Sequence, residues 1–327
     1  MNISILGAGT WGCALARLLA MNGHALTLWS SSAEHAAQLR AQRCHPQLPG
    51  ATLPEGIAYT AELSAACSSA ELLLFATASQ YIRATAAAAA PWIRPGQLIV
   101  TAAKGIEADS LYTMSQVIED ALAPCPLCIG AISGPTHAEE VSLDMPTAMV
   151  AAAADMATAK RICEVFSGPN MRMYPSDDLL GVELCGAFKN IVAIAAGIAR
   201  GLGCGDNALA ALITRGMAEM KRLGQALNCR DSTFEGLAGM GDLIVTCSSA
   251  HSRNRNAGLL LGQGYSLEEA AAKVGMVVEG VYALDAAMEL SQRYHVRMPI
   301  TQAVSDIIYR RADPHSMLKR LMTGKLA

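Results

Sequence analysis

Lys189 is the residue whose chemistry stands out first, because it interrupts a long apolar segment. From Ser176 to Gly203, apolar residues recur at helical spacing on nearly every face, which predicts a central, buried helix that begins at a Ser176 cap. A buried ammonium group is costly unless it is paired or can lose its proton. Lys189 is therefore either an acid/base group or a structural lysine that reaches the surface or pairs with a carboxylate such as Asp242.

A glycine-rich stretch near the N-terminus has the spacing of a dinucleotide-binding loop. Gly7-Ala8-Gly9-Thr10-Trp11-Gly12 follows a short apolar strand candidate, Asn2 to Leu6, and leads into a predicted helix from Cys13 to Met21. Gly7 permits a tight turn, Gly9 lets backbone amides approach a pyrophosphate, and Gly12 lets helix and strand pack closely. The amides and the helix dipole would then hold the phosphates.

The residues after the second predicted strand, Ala25 to Trp29, bear on the choice of cofactor. NAD-selective folds carry an acidic residue here that binds the adenosine ribose, whereas this chain continues with Ser30-Ser31-Ser32. Glu34 follows, but Ser31 and Glu34 have the spacing of a capping box that opens the next helix. No carboxylate at this position excludes a 2′-phosphate, which favours NADP over NAD. No arginine is present to bind that phosphate, so the sequence adds nothing further to this preference.

Further alternation of strands and helices predicts a parallel sheet. The predicted strands are Glu71 to Ala76, Gln97 to Thr101, Leu127 to Ser133, Thr147 to Ala152 and Met171 to Tyr174, and the predicted helices are Ser79 to Ala90, Ser110 to Leu122 and Met156 to Phe166. Ligands bind beyond the carboxyl ends of such strands. Lys104 and the turn Gly134-Pro135-Thr136 are predicted to lie along this rim of the sheet. Lys104 is a candidate functional group there, or a solvated loop lysine.

The second half of the chain is helical in pattern, with Asp206 as the expected cap of a helix from Asn207 to Leu227. Within it, the segment Ser252-Arg253-Asn254 opens a further helix with a hydroxyl, a guanidinium and free amides. Such an arrangement suits a phosphate monoester, and the alternative is a polar loop with a capped helix. Glu279 is either a site residue or a buried, satisfied carboxylate.

These patterns predict an α/β Rossmann-type N-terminal domain with a mostly parallel sheet, residues 1–175, and an all-α C-terminal domain, residues 176–327. The chain is 52% hydrophobic and 16% charged, and its longest apolar runs are broken before they reach membrane length. We therefore expect a soluble protein with no membrane insertion. Because its start carries no export signal, we expect it in the cytoplasm.

Charge and cysteine spacing argue against two other classes of partner. A net charge of −3 gives no support for nucleic-acid binding. The ten cysteines are scattered, and Cys125 and Cys128 lack a second pair at zinc-site distance. We expect no metal site and mostly reduced thiols.

Taken together, the motifs resemble the bacterial NAD(P)-dependent glycerol-3-phosphate dehydrogenase family over almost the full length. The segments that carry the resemblance are Gly7 to Gly12, Ala103-Lys104-Gly105, Ser133 to Thr136, Lys189-Asn190, Ala211-Leu212-Ile213-Thr214-Arg215-Gly216, Gly239-Met240-Gly241-Asp242, Ser252-Arg253-Asn254-Arg255 and Val278-Glu279-Gly280. The resemblance implies reduction of dihydroxyacetone phosphate to sn-glycerol 3-phosphate, a phospholipid precursor, by a cytoplasmic homodimer.

The resemblance also implies roles for individual residues. Lys189 would exchange the proton at the C2 oxygen of the substrate, with Lys104 and Asp242 as the other catalytic residues. The implied substrate-binding residues are Lys104, Gly134, Thr136, Lys189, Asp242, Ser252, Arg253 and Asn254. The implied cofactor-binding residues are Gly7, Gly9, Thr10, Trp11, Gly12, Lys104, Ala138, Arg253, Val277 and Glu279.

The chain departs from the family pattern at four places. The serine run after Trp29 lacks the basic residue often seen there. Ala78 replaces a usual proline, His137 a common phenylalanine, and Cys185 a common glycine one turn before Lys189. Two other functions stay open on sequence alone. One is a related hydroxyacid or ketopantoate-type dehydrogenase, which would not need the phosphate site at Ser252, and the other is a nucleotide-sensing module without catalysis.

Overall fold

The computed structural model describes residues 1–275 and 277–324. The chain forms two compact units. The first consists of Met1–Ala103 and Met114–Leu179, and the second consists of Lys104–Thr113 and the chain from Leu180 onward. The second unit thus includes a ten-residue segment that leaves the chain of the first unit and returns to it.

The first unit is built on an eight-stranded sheet in the order β3-β2-β1-β4-β5-β6-β7-β8. Its strands are β1 Asn2–Leu6, β2 Ala25–Trp29, β3 Ala58–Thr60, β4 Leu72–Phe75, β5 Leu98–Thr101, β6 Cys128–Ser133, β7 Thr147–Ala153 and β8 Met171–Ser176. All neighbouring strands run parallel except β6 and β7. The predicted Rossmann-type, mostly parallel sheet is confirmed, with its order reversing between β1 and β4.

Helices cover both faces of this sheet. They are α1 Thr10–Met21, α2 Ala33–Gln42, α3 Leu63–Cys67, α4 Ile82–Ala89, α5 Met114–Leu122, α6 Ala138–Ser142 and α7 Met156–Phe166. Successive residues of a strand point to opposite faces. Accordingly, Leu72 and Leu74 of β4 join one apolar core and Leu73 and Phe75 join another. This two-sided burial explains why the strands read as continuous apolar runs.

From Leu180 onward, the described part of the second unit is helical. Its helices are α8 Leu179–Gly201, α9 Asp206–Ala226, α10 Asp231–Glu235, α11 Asp242–Ser248, α12 Arg253–Gly262, α13 Leu267–Val274, α14 Glu279–Arg293, α15 Pro299–Arg310 and α16 Pro314–Met322, with a π-helical turn at Leu237–Gly241. The predicted all-α organisation is confirmed.

Helix α8 is the core of the second unit. By length and composition it could cross a membrane, but 89% of its apolar window is buried inside the protein. Such burial is typical of the central helix of a soluble fold. The predicted central, buried helix is therefore confirmed, and Lys189 is itself 6% exposed.

Several predicted boundaries are wrong for local reasons. Helix α2 is capped by Ser32, whose hydroxyl accepts from the His35 amide, and not by a box of Ser31 with Glu34. Helix α9 begins at Asp206 itself, with Gly205 at its N-cap. Ser176 ends β8 and its hydroxyl accepts from the Asp178 amide, so α8 starts later than predicted.

The helix predicted from Ser110 begins instead at Met114. The Ser110 hydroxyl donates to Glu107 at 2.6 Å and accepts from the Tyr112 amide at 3.2 Å. Leu111 adopts a left-handed conformation, with a φ of 60°. These hydrogen bonds stabilise a turn where the sequence pattern alone predicts a helix.

Candidate functional site

Three charged side chains that the sequence singles out meet in the second unit. The Lys189 ammonium donates to Asp242 Oδ1 and, at 2.7 Å, to the Thr246 hydroxyl. The Lys104 ammonium donates to Asp242 Oδ2 at 2.7 Å. The side chains of Lys104, Lys189 and Asp242 are 15%, 8% and 1% exposed, so one buried carboxylate holds two nearly buried cations.

The electrostatics of this cluster favour proton exchange at Lys189. The pKa of Lys189 is lowered from 10.5 to about 8: burial is the largest cause, the Asp242 charge opposes the shift, and the neighbouring Lys104 charge adds to it. Burial alone would raise the pKa of Asp242, but the two ammonium groups hold it below its usual value. Asp242 therefore stays ionised at neutral pH, while Lys189 can give up and take back a proton.

Lys104 belongs to this cluster because its loop folds onto the second unit. The segment Lys104–Thr113 closes on itself through an antiparallel bridge between Ile106 and Thr113. Ile106 is 4% exposed in the core of the second unit, and the Thr113 hydroxyl donates to the buried carboxylate of Glu183 on α8 at 2.7 Å. An apolar residue and a buried hydrogen bond thus fix the loop that carries Lys104.

Helices α8 and α12 pack backbone against backbone and run in the same direction. A Cβ atom added to Gly258 would lie 2.1 Å from the Ile194 carbonyl oxygen, and one added to Gly262 would lie 2.4 Å from that of Ile198. A Cβ added to Gly197 would likewise lie 2.0 Å from the Arg255 carbonyl oxygen. This register places the N-terminus of α12 beside the turn of α8 that carries Lys189.

The N-terminus of α12 has the donors of an anion site. The Ser252 hydroxyl caps the helix by accepting from the Arg255 amide at 3.3 Å, as the sequence predicts. Arg253 is half-buried, and its guanidinium makes no hydrogen bond or ion pair with any described residue. A helix N-terminus with an uncommitted guanidinium is suited to a phosphate group.

Asn254 connects α12 to α14. Its side-chain oxygen accepts from the Gly280 amide at 2.9 Å, and a Cβ at Gly280 would lie 2.8 Å from the Asn190 carbonyl oxygen. Val277 and Glu279, both half-buried, immediately precede this contact in the chain. Gly280 thus joins the start of α14, which follows Val277 and includes Glu279, to Asn254 at the start of α12, which follows Ser252 and includes Arg253. Its contact with Asn190 places both helix starts beside the middle of α8, next to Lys189.

The glycine loop of the first unit has the geometry that its sequence predicts. Gly7 has a φ of +126°, and a Cβ at Gly12 would lie 1.8 Å from the Gly7 carbonyl oxygen. Gly9 is exposed and a Cβ there would meet nothing within 4 Å, and α1 begins at the next residue, Thr10, followed by Trp11, both half-buried. The loop is closed by backbone contacts on one side and open at Gly9, as a pyrophosphate cradle requires.

Other residues of the predicted rim lie at the carboxyl ends of β4 and β6. The Thr77 and Ser133 hydroxyls there are buried without a hydrogen-bond partner. Gly134 has a φ of +156°, Thr136 donates to its carbonyl oxygen at 3.1 Å, and Ala138 is the first residue of α6. Unpaired buried hydroxyls at this edge fit a bound polar ligand. The residues present thus suit a dinucleotide.

Three residues that support the lysine cluster were not predicted from the sequence. Thr246 lies four residues after Asp242 on the same face of α11, so this spacing was an available signal. Glu183 and Thr113 are 70 positions apart, and no local pattern joins them. Among the described residues, no group of three His, Cys, Asp or Glu side chains could hold a metal ion, and the ten cysteines are free.

Fold and site together define a dinucleotide-binding protein of the dehydrogenase class: a Rossmann-type unit with a glycine cradle, and a helical unit with a buried lysine of lowered pKa. Comparison with known proteins narrows this class. Residues 2–159 match the family model described as NAD-dependent glycerol-3-phosphate dehydrogenase N-terminus, and residues 178–319 match the corresponding C-terminus model. The chain belongs to the NAD-dependent glycerol-3-phosphate dehydrogenase family.

Individual relatives agree with this assignment. The chain is 50% identical over 325 residues to glycerol-3-phosphate dehydrogenase [NAD(P)+] 2 of Lactobacillus delbrueckii, covering 98% of this chain and 96% of the relative. It is 44% identical to glycerol-3-phosphate dehydrogenase [NAD(P)+] of Agathobacter rectalis, with 98% and 95% covered. The crystal structure of the Coxiella burnetii glycerol-3-phosphate dehydrogenase matches with a TM-score of 0.93 and 37% identity over 98% of both chains.

Proposed function

We propose that this chain catalyses the reversible, NAD(P)H-dependent reduction of dihydroxyacetone phosphate to sn-glycerol 3-phosphate. The observation that carries the proposal is the cluster of Lys104, Asp242 and Lys189, in which a buried lysine has a pKa of about 8. Membership of the family supports the same reaction. The cofactor is NAD or NADP.

Lys189 is the group that exchanges the proton. A bound reduced nicotinamide supplies the hydride that reaches C2 of the substrate. Protonated Lys189 gives its proton to the C2 oxygen as the carbonyl becomes an alcohol, and takes it back in the reverse direction. The positive charge of Lys104 stabilises the developing alkoxide, and Asp242 holds both ammonium groups in place. Overall, one ketone, one NAD(P)H and one proton give one alcohol and one NAD(P)⁺.

The phosphate of the substrate is held by the N-terminus of α12. Arg253 supplies the charged donor, and the Ser252 hydroxyl and the first amides of the helix supply the others. Asn254 contributes by fixing the end of α12 to α14. Binding energy gained at the phosphate orients the remote carbonyl for reaction.

We propose separate binding roles for the two parts of the chain. Residues 1–175 bind the dinucleotide through Gly7, Gly9, Thr10, Trp11 and Gly12, and residues 176–327 bind the substrate. Lys104 precedes this boundary in sequence, although its loop belongs to the second compact unit. The assignments of Gly134 and Thr136 to the substrate, and of Ala138, Val277, Glu279, Lys104 and Arg253 to the cofactor, remain predictions.

The lean toward NADP, the homodimer, the cytoplasmic location and the supply of glycerol 3-phosphate to phospholipid synthesis are also proposals. The preference for NADP rests on the serine run after β2. The other three rest on expectations drawn from the sequence or on the resemblance to the family. The soluble dehydrogenase fold supports the cytoplasmic location.

The purified protein should oxidise NADH or NADPH when dihydroxyacetone phosphate is added, with sn-glycerol 3-phosphate as product. A panel that adds ketopantoate and 3-oxoacids tests the hydroxyacid alternative. Turnover of those substrates in preference to the phosphate ester would contradict the proposal. Cofactor binding without turnover of any substrate would instead favour a nucleotide-sensing module.

A further inference from the structure

A buried hydrogen bond joins the loop Lys104–Thr113 to helix α8. The Thr113 hydroxyl donates to a carboxylate oxygen of Glu183 at 2.7 Å, and the two residues are 2% and 6% exposed. Glu183 precedes Lys189 by six residues in α8, which is roughly 9 Å along the helix axis. The end of the loop and the lysine of the proposed reaction are therefore attached to the same helix.

Backbone pairing within the loop holds Thr113 beside the residues that carry Lys104. Ile106 and Thr113 form an antiparallel bridge. The Glu107 amide donates to the Tyr112 carbonyl oxygen at 2.9 Å, which continues the pairing of the two arms. Because Ile106 follows Lys104 by two positions, a displacement of Thr113 also displaces the backbone at Lys104.

Leu111 in this loop has a conformation that its surroundings must maintain. Its φ of 60° is uncommon for a leucine, and its side chain packs against the apolar core of the second unit, which Ile106 joins. Such conformations persist only where neighbouring contacts hold them, and they are concentrated at functional sites. The loop is thus held by apolar packing, by backbone pairing and by the hydrogen bond between Thr113 and Glu183.

Thr113 and Glu183 form a polar pair in a setting that apolar side chains could fill. The neighbours of Glu183 along α8, Val182 and Leu184, are buried apolar residues. Replacing both partners of a buried hydrogen bond by apolar groups of the same shape is nearly neutral or stabilising. A hydrogen bond differs from apolar packing because it fixes a distance and an angle between two groups. The bond between Thr113 and Glu183 therefore fixes geometry more than it stabilises the fold.

We infer that Thr113 and Glu183 are positioning residues, whose hydrogen bond holds Lys104 in contact with the carboxylate of the lysine cluster. That cluster, Lys104 with Asp242 and Lys189, thus depends on a bond outside it. Thr113 and Glu183 act through Lys104 and exchange no proton with the substrate. The inference rests on the proposed function, since it concerns how that reaction keeps its two lysines together.

The pH dependence of reduction reports where Lys104 lies. Besides burial, the Asp242 charge raises the pKa of Lys189 and the Lys104 charge lowers it. On α11, the Cys247 thiol stays neutral because burial raises its pKa to about 12, although Lys189 and Arg255 of α12 oppose that shift. Displacement of Lys104 takes a cation away from Lys189 and leaves Asp242 with one cation fewer, and both changes raise the pKa of Lys189.

Thr113→Val and Thr113→Ser in the full-length protein test the inference. Reduction needs protonated Lys189, so kcat/KM for dihydroxyacetone phosphate falls as pH rises through its pKa. Valine has the shape of threonine without the hydroxyl, and we expect the falling limb to move to higher pH by about 0.3–1 pH unit, in the same direction as in Lys104→Met. Serine keeps the hydroxyl, so Thr113→Ser should retain the wild-type limb.

Thr301→Val is the matched control, because it removes the same kind of bond from the same unit. The Thr301 hydroxyl donates to the carboxylate of Glu219 at 3.2 Å, and both residues are 2% exposed. This variant should lower the midpoint of thermal unfolding and leave the limb in place.

Two double variants separate positioning from folding. Thr113→Val with Glu183→Met replaces both partners by apolar groups of similar shape, so it should fold even where Thr113→Val alone does not, and its limb should still move to higher pH. Thr113→Val combined with Lys104→Met should move the limb no further than Lys104→Met alone, because Thr113 acts through Lys104.

The outcomes distinguish this inference from the proposed function. A limb that moves in Thr113→Val, returns in Thr113→Ser and stays in place in Thr301→Val would support the inference. Wild-type turnover with a limb that Thr113→Val leaves in place, or that Thr301→Val moves as far, would overturn it and leave the dehydrogenase proposal intact. A further shift in the Lys104→Met background would also overturn it. No reduction of dihydroxyacetone phosphate by the wild-type protein would overturn both.

Discussion

The Lys104 ammonium lies 2.7 Å from Oδ2 of Asp242, although the two residues are 138 positions apart in the chain. Asp242 uses its other oxygen for Lys189, so one carboxylate sets the position of both lysines. Because Asp242 is 1% exposed, this arrangement exists only in the folded second unit. The contact therefore brings a loop lysine and a helix lysine together at one carboxylate.

Replacement of the shared carboxylate should damage both stability and activity. Asp242→Asn leaves two ammonium groups in a buried setting without their counter-charge, which costs roughly 3–5 kcal/mol when a buried pair is broken. We expect a lower midpoint in urea denaturation and loss of most turnover. Asp206→Asn is the matched control, since Asp206 pairs with Arg200 but is 91% exposed. Equal urea midpoints for the two variants would contradict the role given to Asp242.

The pH dependence of Lys104→Met tests the coupling between the two lysines. Reduction needs protonated Lys189, so kcat/KM for reduction should fall as pH rises through the pKa of about 8. Lys104 lowers the pKa of Lys189, so its removal raises that pKa and moves the falling limb to higher pH, by on the order of one pH unit. A limb that stays in place or moves to lower pH would show that Lys104 does not influence Lys189.

Two glycines of the cofactor loop should respond differently to the same substitution. Gly12→Ala places a Cβ 1.8 Å from the Gly7 carbonyl oxygen and should destabilise the first unit, as a lower midpoint in thermal unfolding. Gly9→Ala meets no atom within 4 Å and should fold normally, while the added methyl group weakens NAD(P)H binding roughly tenfold or more. Fluorescence titration measures that binding. Unimpaired cofactor binding by Gly9→Ala would place the pyrophosphate elsewhere.

Arg253→Ala tests the phosphate site separately from the chemistry. The loss of a charged donor to phosphate is worth about 1.5–3 kcal/mol, which corresponds to a rise in KM of roughly ten- to hundredfold for dihydroxyacetone phosphate. Dihydroxyacetone, which lacks the phosphate, should be used no worse by the variant than by the wild type. Arg200→Ala, at the far end of α8, serves as control. Equal impairment with both substrates would argue against phosphate binding by Arg253.

Much of the first unit could be predicted because its signals are local. Strand β2 and helix α7 have the predicted bounds, since a run of apolar residues or a helical period defines each of them. Strand β3 was missed because three residues between polar loops carry no period, and it exists because it pairs with β2. The antiparallel direction of β7 likewise follows from pairing and not from its own residues.

In the candidate site, the residues could be predicted from the sequence but their arrangement could not. Residue types and the resemblance singled out Lys104, Lys189 and Asp242, but only folding unites them in the second unit. The alternative expectation that Lys189 pairs with Asp242 is confirmed, whereas its acid/base role stays a prediction. The pairing does not prevent that role, because burial and Lys104 keep the pKa of Lys189 low. The glycines that join α8 to α12 lie about 60 positions apart, beyond any local pattern.

Turnover by Lys189→Met tests the central claim most directly. The methionine keeps the length and apolar stem of the lysine but cannot exchange a proton. In parallel assays with dihydroxyacetone phosphate and NAD(P)H, we predict normal cofactor binding by fluorescence and a kcat lowered by about 10²–10⁴-fold. A kcat within a few-fold of the wild type would contradict the assignment of Lys189 as the proton donor and acceptor.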